Sequence, residues 1–196
     1  MSRRAGMLLA AMLLVVAACN GDDDSAADDG NKSGVTVTAG EANLVDDDGR
    51  SFSIVEVGLG ADGYVVLSNF TESPASLNGL YLCQPPECVA LPEVEVAAGE
   101  SAVAAMGDGK GIEGEVATGL GLYLQPGDGE VGLHASEDVE DPEDIRAYIQ
   151  WGSTPHDGTA TAIEAGLWLD GSYVESAADA TRIYRSESNE WVFETG

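Results

Sequence analysis

The chain of 196 residues carries 35 acidic against eight basic residues, a formal net charge of −27. Such a surface repels phosphate backbones and anionic lipid headgroups, which excludes nucleic acid as a partner. With 25 glycines and only 6% aromatic residues, the composition suits a turn-rich β protein rather than a helical one.

At the start of the chain, Arg3 and Arg4 precede an apolar run from Met7 to Val16, followed by Ala17, Ala18 and Cys19. The run is about ten residues, whereas a membrane-spanning helix needs roughly 20. Basic residues, a short apolar core and small residues before a cut make a secretory signal. Val16-Ala17-Ala18-Cys19 resembles a bacterial lipobox. That resemblance implies diacylation of Cys19 and cleavage just before it. The expectation is a signal peptide over 1–18 and a lipid anchor at Cys19. The mature protein is then expected at the cell membrane, on its extracytoplasmic face.

Residues 19–48 read as a disordered acidic linker. Gly21 to Gly30 mixes Asp, Ser, Ala and Gly without apolar periodicity. From about residue 49 the pattern changes to short apolar or alternating runs, spaced about 8 to 15 residues apart as in a sandwich or barrel. Predicted strands cover residues 51–59, 64–70, 77–83, 94–97, 101–106, 120–124, 131–134 and 145–151. The punctuation is Gly, Asp and Pro, as in Pro126-Gly127-Asp128-Gly129. This pattern argues an all-β sandwich over residues 49–152. Residues 153–196 read as a C-terminal extension packing on it. A short helix is predicted over residues 160–165, stopped by Gly166, and a hairpin about Ser188-Asn189.

Cys83 and Cys88 form an even pair once Cys19 is set aside as lipid carrier. Outside the cytoplasm they are expected as a disulfide pinning a hairpin tip, with Pro85-Pro86 in the turn. The redox spacing is Cys-x-x-Cys, and four residues intervene here. A zinc site needs more ligands than two thiolates.

Tyr64 to Asn69, followed by Leu77-Asn78-Gly79-Leu80, resembles the opening of a lamin-tail domain. Leu80 stands where that family usually has Trp. Leu91-Pro92, Val96 to Glu100, and the runs at 119–124, 129–133 and 145–152 resemble its later turns and strands. The resemblance covers a little over half the chain. It implies an immunoglobulin-like β-sandwich and no activity, because a fold does not fix a function. Trp151 and Trp168 are expected to close one end of the core.

The acidic loops Asp46-Asp47-Asp48 and Glu137 to Asp144 supply oxygens of the kind calcium takes. No Asp-x-Asp-x-Asp-Gly loop with a glutamate at its twelfth position accompanies them. No resident cofactor is expected; calcium at Asp46, Asp47, Asp48, Asp141 or Asp144 is the one ion left open. His134 and His156 are the two histidines. His134 falls in a predicted strand and reads as a packed residue. His156 lies in a turn beside Asp157, but no Gly-x-Ser-x-Gly elbow supplies a nucleophile.

The leading expectation is a non-enzymatic interaction module, tethered to the membrane through Cys19, with an unidentified envelope protein or glycan as partner. The alternatives are a calcium-stabilised adhesion module and a small envelope hydrolase, or its accessory subunit, using His156.

Overall fold

The computed structural model describes residues 50–107, 114–117, 119–153 and 155–196. The segments expected as signal peptide and linker, with Cys19, Asp46, Asp47 and Asp48, lie outside the described residues. Twelve strands and one short helix make up the described secondary structure, so the protein is all-β.

β1 (Phe52–Gly58) and β2 (Tyr64–Asn69) form an antiparallel hairpin. Their inward positions are apolar and fully buried: Ile54, Val57, Val65 and Leu67. β2 shows the period-two alternation of a half-buried strand, whereas on β1 a bulge between Ile54 and Glu56 sets Ile54 and Val57 three apart. β7 (Ser101–Ala105) pairs with β2, and β8 (Glu115–Ala117) runs parallel to β7. On the other side of β1 lie β11 (Ala180–Arg185) and β12 (Trp191–Thr195). The larger sheet therefore reads β12-β11-β1-β2-β7-β8. The C-terminal hairpin is thus part of this sheet, β11 hydrogen-bonded to β1 and β12 to β11. Their hairpin turns at Asn189, which takes φ 62°, a conformation Asn tolerates well.

The second sheet holds four strands. β4 (Tyr81–Gln84) and β5 (Glu87–Ala90) form a hairpin, and β9 (Gly129–His134) and β10 (Ile145–Trp151) extend it. Its order is β10-β9-β4-β5. Cys83 and Cys88 face each other in the β4–β5 register and are disulfide-bonded, with Cα atoms 4.1 Å apart. β3 (Ala75–Ser76) and β6 (Glu95–Val96) form a separate two-stranded ribbon.

The two larger sheets share one apolar core. Ile54, Val57, Val65, Leu67 and Ile183 from one meet Leu82, Val131, Leu133 and Ile149 from the other. Each such side chain contributes roughly 1.5–3 kcal/mol by leaving water. Trp151 and Trp191 are fully buried in that core, and Trp168 packs against it half-buried. Asn69, fully buried at the end of β2, ties the ribbon in place. Its Nδ2 reaches the carbonyls of Ser73, Val96 and Ala97 at 2.9, 3.0 and 3.1 Å.

One predicted strand does not form. Residues 120–124 form an isolated bridge from Leu124 to Gly60, and the Leu120 and Gly121 amides donate to the Ala105 and Met106 carbonyls. Gly119 and Gly121 take φ of 66° and 86°, which breaks the extended backbone that the apolar pattern suggested. The predicted helix forms as α1 (Thr159–Glu164).

Candidate functional site

All six residues of β9 are buried, although only alternate ones face the common core. Val131 and Leu133 point inward, so Glu130, Gly132 and His134 lie on the opposite face. On β10, Tyr148 stands opposite Gly132 and Gln150 opposite Glu130. This outer face is covered by the loop after β10 and by α1. A small apolar cluster of Ile145, Tyr148 and Ala162 seals it, with Trp168 edge-on to the Tyr148 ring at 5.5 Å.

Beneath that cover lies a polar cluster. Glu130, Tyr148, Gln150 and Thr159 are respectively 4, 7, 0 and 2% exposed. The Tyr148 hydroxyl donates to Glu130 Oε2 at 2.6 Å and lies 3.1 Å from Thr159 Oγ1. Thr159 Oγ1 donates to Gln150 Oε1 at 2.6 Å. Gln150 Nε2 donates to the Ser172 carbonyl at 2.6 Å. Two backbone amides complete the set. Gly158 N–H donates to Glu130 Oε2 at 3.0 Å, and His156 N–H to Thr159 Oγ1 at 2.8 Å. A Cβ at Gly158 would stand 3.0 Å from Glu130 Oε2 and 3.2 Å from the Tyr148 ring, tighter than ordinary contact.

Burial raises the Glu130 pKa above the ordinary carboxylate value, opposed by the Tyr148 hydroxyl and the Gly158 amide. Tyr148 is held well above its ordinary value, first by burial and then by the negative charge of Glu130. The cluster thus joins a threonine hydroxyl, a carboxamide and a buried carboxyl about one phenol.

His156 sits at the rim. Its Nε2 lies 3.3 Å from the Trp151 carbonyl and 3.4 Å from Asp128 Oδ1. The carboxylate on this imidazole is therefore Asp128, twenty-eight positions back in sequence, rather than the adjacent Asp157. Ser153 donates both its amide (2.9 Å) and its hydroxyl (2.6 Å) to the same Asp128 oxygen. The hydroxyl is spent on the carboxylate and makes no hydrogen bond to the imidazole, so this trio lacks the nucleophile–base contact of a hydrolytic triad.

His134 is 2% exposed, and its Nδ1 has no hydrogen-bond partner among the described residues. Burial lowers its pKa to about 4. Asp141 and Asp144 are used in their own loop. Asp141 Oδ1 accepts the Glu143 amide at 2.8 Å, and Asp144 Oδ2 accepts the Ser136 hydroxyl. Among the described residues no three His, Cys, Asp or Glu side chains are grouped to hold a metal ion. A cleft lined by Phe52, Leu80, Leu133 and Arg146 has a volume of about 80 Å³. Small-molecule sites begin at roughly 300 Å³. No described helix is long and apolar enough to cross a membrane.

Sequence reasoning singled out His156 but missed Glu130, Tyr148, Gln150 and Thr159. The available signal was polar residues inside otherwise apolar strands, in GEVGLH and IRAYIQW. Comparison with protein-family models, with curated proteins and with solved structures finds no match.

Proposed function

We propose that the chain is an extracytoplasmic lipoprotein, anchored at Cys19, whose domain is a lamin-tail-like, immunoglobulin-like β-sandwich acting as a non-enzymatic interaction module. The observation that carries the non-enzymatic reading is the state of the polar groups: those the fold gathers are buried and hydrogen-bonded to one another. They hold the loop after β10 to the sheet and bond to one another among the described residues. Two sheets about one core are consistent with the sandwich assignment. The anchor rests on the sequence around Cys19. Two acyl chains give stable anchoring, each buried CH₂ adding about 0.8 kcal/mol.

Recognition on this reading uses loops or an edge strand. β5 is an outer strand of the smaller sheet, short and pinned by the Cys83–Cys88 bridge. An edge strand of this kind accepts an extended partner segment through main-chain hydrogen bonds. The test is cross-linking on intact cells, with mass spectrometry of the captured species and of the Cys19 peptide. The reading predicts an acylated Cys19, loss of membrane retention in Cys19→Ala, and one dominant envelope protein or glycan on the domain. An unacylated Cys19 would overturn the anchor. Hydrolytic activity abolished by His156→Ala would overturn the non-enzymatic role.

A further inference from the structure

We propose that Thr159 and Gln150 join in an intramolecular ester, formed by the folded protein from its own residues. Thr159 Oγ1 donates to the carbonyl oxygen of the Gln150 carboxamide at 2.6 Å, which holds the hydroxyl against that group. The Tyr148 hydroxyl is 3.1 Å from that same Oγ1 and donates at 2.6 Å to Glu130. Two donors lie near the carboxamide oxygen, the Tyr148 hydroxyl at 3.3 Å and the His156 amide at 3.4 Å; at rest the first is given to Glu130 and the second to Thr159 Oγ1. A nucleophile, a proton relay ending on a carboxylate and donors for a developing oxyanion are the parts an acyl transfer needs. Ser172 fixes the amide by accepting from Nε2 at 2.6 Å.

The step balances without a co-reactant. For Thr159 Oγ1 to attack Gln150 Cδ, its proton turns from the carboxamide oxygen to the Tyr148 hydroxyl, 3.1 Å away, which passes its own proton to Glu130. As the tetrahedral centre collapses, the Cδ–Nε2 bond breaks. The proton held by Glu130 returns to the departing nitrogen, which leaves as ammonia. Burial favours a carboxylate basic enough to accept that proton. An ordinary carboxamide resists a hydroxyl in water; here both are held in place, which supplies the large effective concentrations of intramolecular reactions. Because Gln150 and Thr159 are almost fully buried, the product ester is shielded from hydrolysis. The linkage would bolt α1 covalently to β10 and close the loop between them.

Peptide mass spectrometry of the full-length protein tests this directly. Trypsin cuts after Arg146 and Arg182, releasing residues 147–182, which contain Gln150 as their sole carboxamide and no Asn or Cys. The expected result is a peptide lighter by one ammonia, with no fragment ions from cleavage between positions 150 and 159. Hydroxylamine should open it and leave a hydroxamate at position 150. Thr159→Val should return the peptide to its sequence mass. Tyr148→Phe and Glu130→Gln, in protein shown to be folded by circular dichroism, should leave most of the peptide at that mass although both reacting groups remain. A peptide of unmodified mass in the folded wild-type protein, with an unbroken fragment series from 150 to 159, overturns the proposal. So does an ammonia loss that persists in Thr159→Val.

Discussion

β9 and β10 bury both of their faces, yet by opposite means. Inward, Val131, Leu133 and Ile149 meet the larger sheet through apolar contact alone. Outward, Glu130, Tyr148 and Gln150 are covered by α1 and its loop and meet them largely through hydrogen bonds. The difference lies in what each face tolerates. Apolar contact is non-directional, so a similar volume can replace it. A buried polar set is directional, and removing one member strands the rest. The inner face therefore sets how stable the protein is, and the outer face sets where the loop and helix must sit.

The largest expected effect is on the inner face. Leu133 is fully buried between the sheets. Leu133→Ala should cost about 2–5 kcal/mol from lost transfer energy plus the residual cavity. Denaturant unfolding should show that loss nearly unchanged from pH 5 to pH 8, because the residues about Leu133 in the core do not titrate. A loss that varied strongly with pH would mean that the two faces are not independent.

The outer face should supply the pH dependence. His134 stays neutral in the folded protein down to about pH 4, while an unfolded His takes a proton near 6.5. Between those values the unfolded state binds more protons, so stability rises with pH and is lost on acidification. The loss is bounded at about 3.5 kcal/mol, since one pKa step is about 1.4 kcal/mol. Asp138 and Asp144 oppose the shift, and Arg146 adds to it. Glu130 runs the other way. Its raised pKa means that the folded state holds a proton the unfolded chain releases, so its contribution falls as pH rises above the ordinary carboxylate value. Stability measured across pH 4 to 7 in His134→Phe, made in a Glu130→Gln background, isolates the histidine. The acid-side loss should vanish; if it persists, His134 is not its source.

How much of this could be read in the sequence follows from the same contrast. β1, β2, β7, β9 and β10 were visible because alternating or continuous apolar runs record burial directly. β8 escaped because three residues, paired parallel to β7 through a contact set elsewhere in the chain, carry no periodicity. Residues 120–124 misled because their leucines are apolar while Gly119 and Gly121 bend the backbone. The polar cluster was illegible for a different reason. Glu130 and Gln150 meet through the register of an antiparallel pair, and Thr159 reaches them only because the loop folds back. Asp128 beside His156 is fixed by the same return of the chain, so local spacing pointed to Asp157 instead.

A smaller effect belongs to the bridge on β4 and β5. Cys83 is fully buried, opposite Cys88 in an adjacent pair of strands. So short a loop constrains the unfolded chain modestly, by about 2 kcal/mol. The double substitution Cys83→Ser with Cys88→Ser should lower the unfolding free energy by that amount. It should leave unchanged the ammonia-loss mass expected for residues 147–182, because neither cysteine contacts Thr159 or Gln150. Loss of that mass shift would show that the bridge, and not α1 alone, holds the outer face in register.

The smallest effect is expected where an outer face has no cover. On the larger sheet, Arg182 Nε donates to Glu194 Oε2 at 2.6 Å, and its Nη1 lies 3.5 Å from Glu56 Oε1. The Tyr64 hydroxyl also donates to Glu56, and burial first, then that carboxylate, raises its pKa to about 12. The residue types resemble those under α1: a phenol on a carboxylate, with a partner across the strand. What differs is water. The Arg182 side chain is 41% exposed, so its ion pairs are screened and their ordering entropy is not recovered by burial. Arg182→Ala should therefore cost less than about 1 kcal/mol, and that cost should shrink further in high salt. Thermal unfolding at low and high ionic strength measures both. A salt-insensitive loss of several kcal/mol would mean that something covers this face in solution, and that the contrast between a sealed and an open sheet face is wrong.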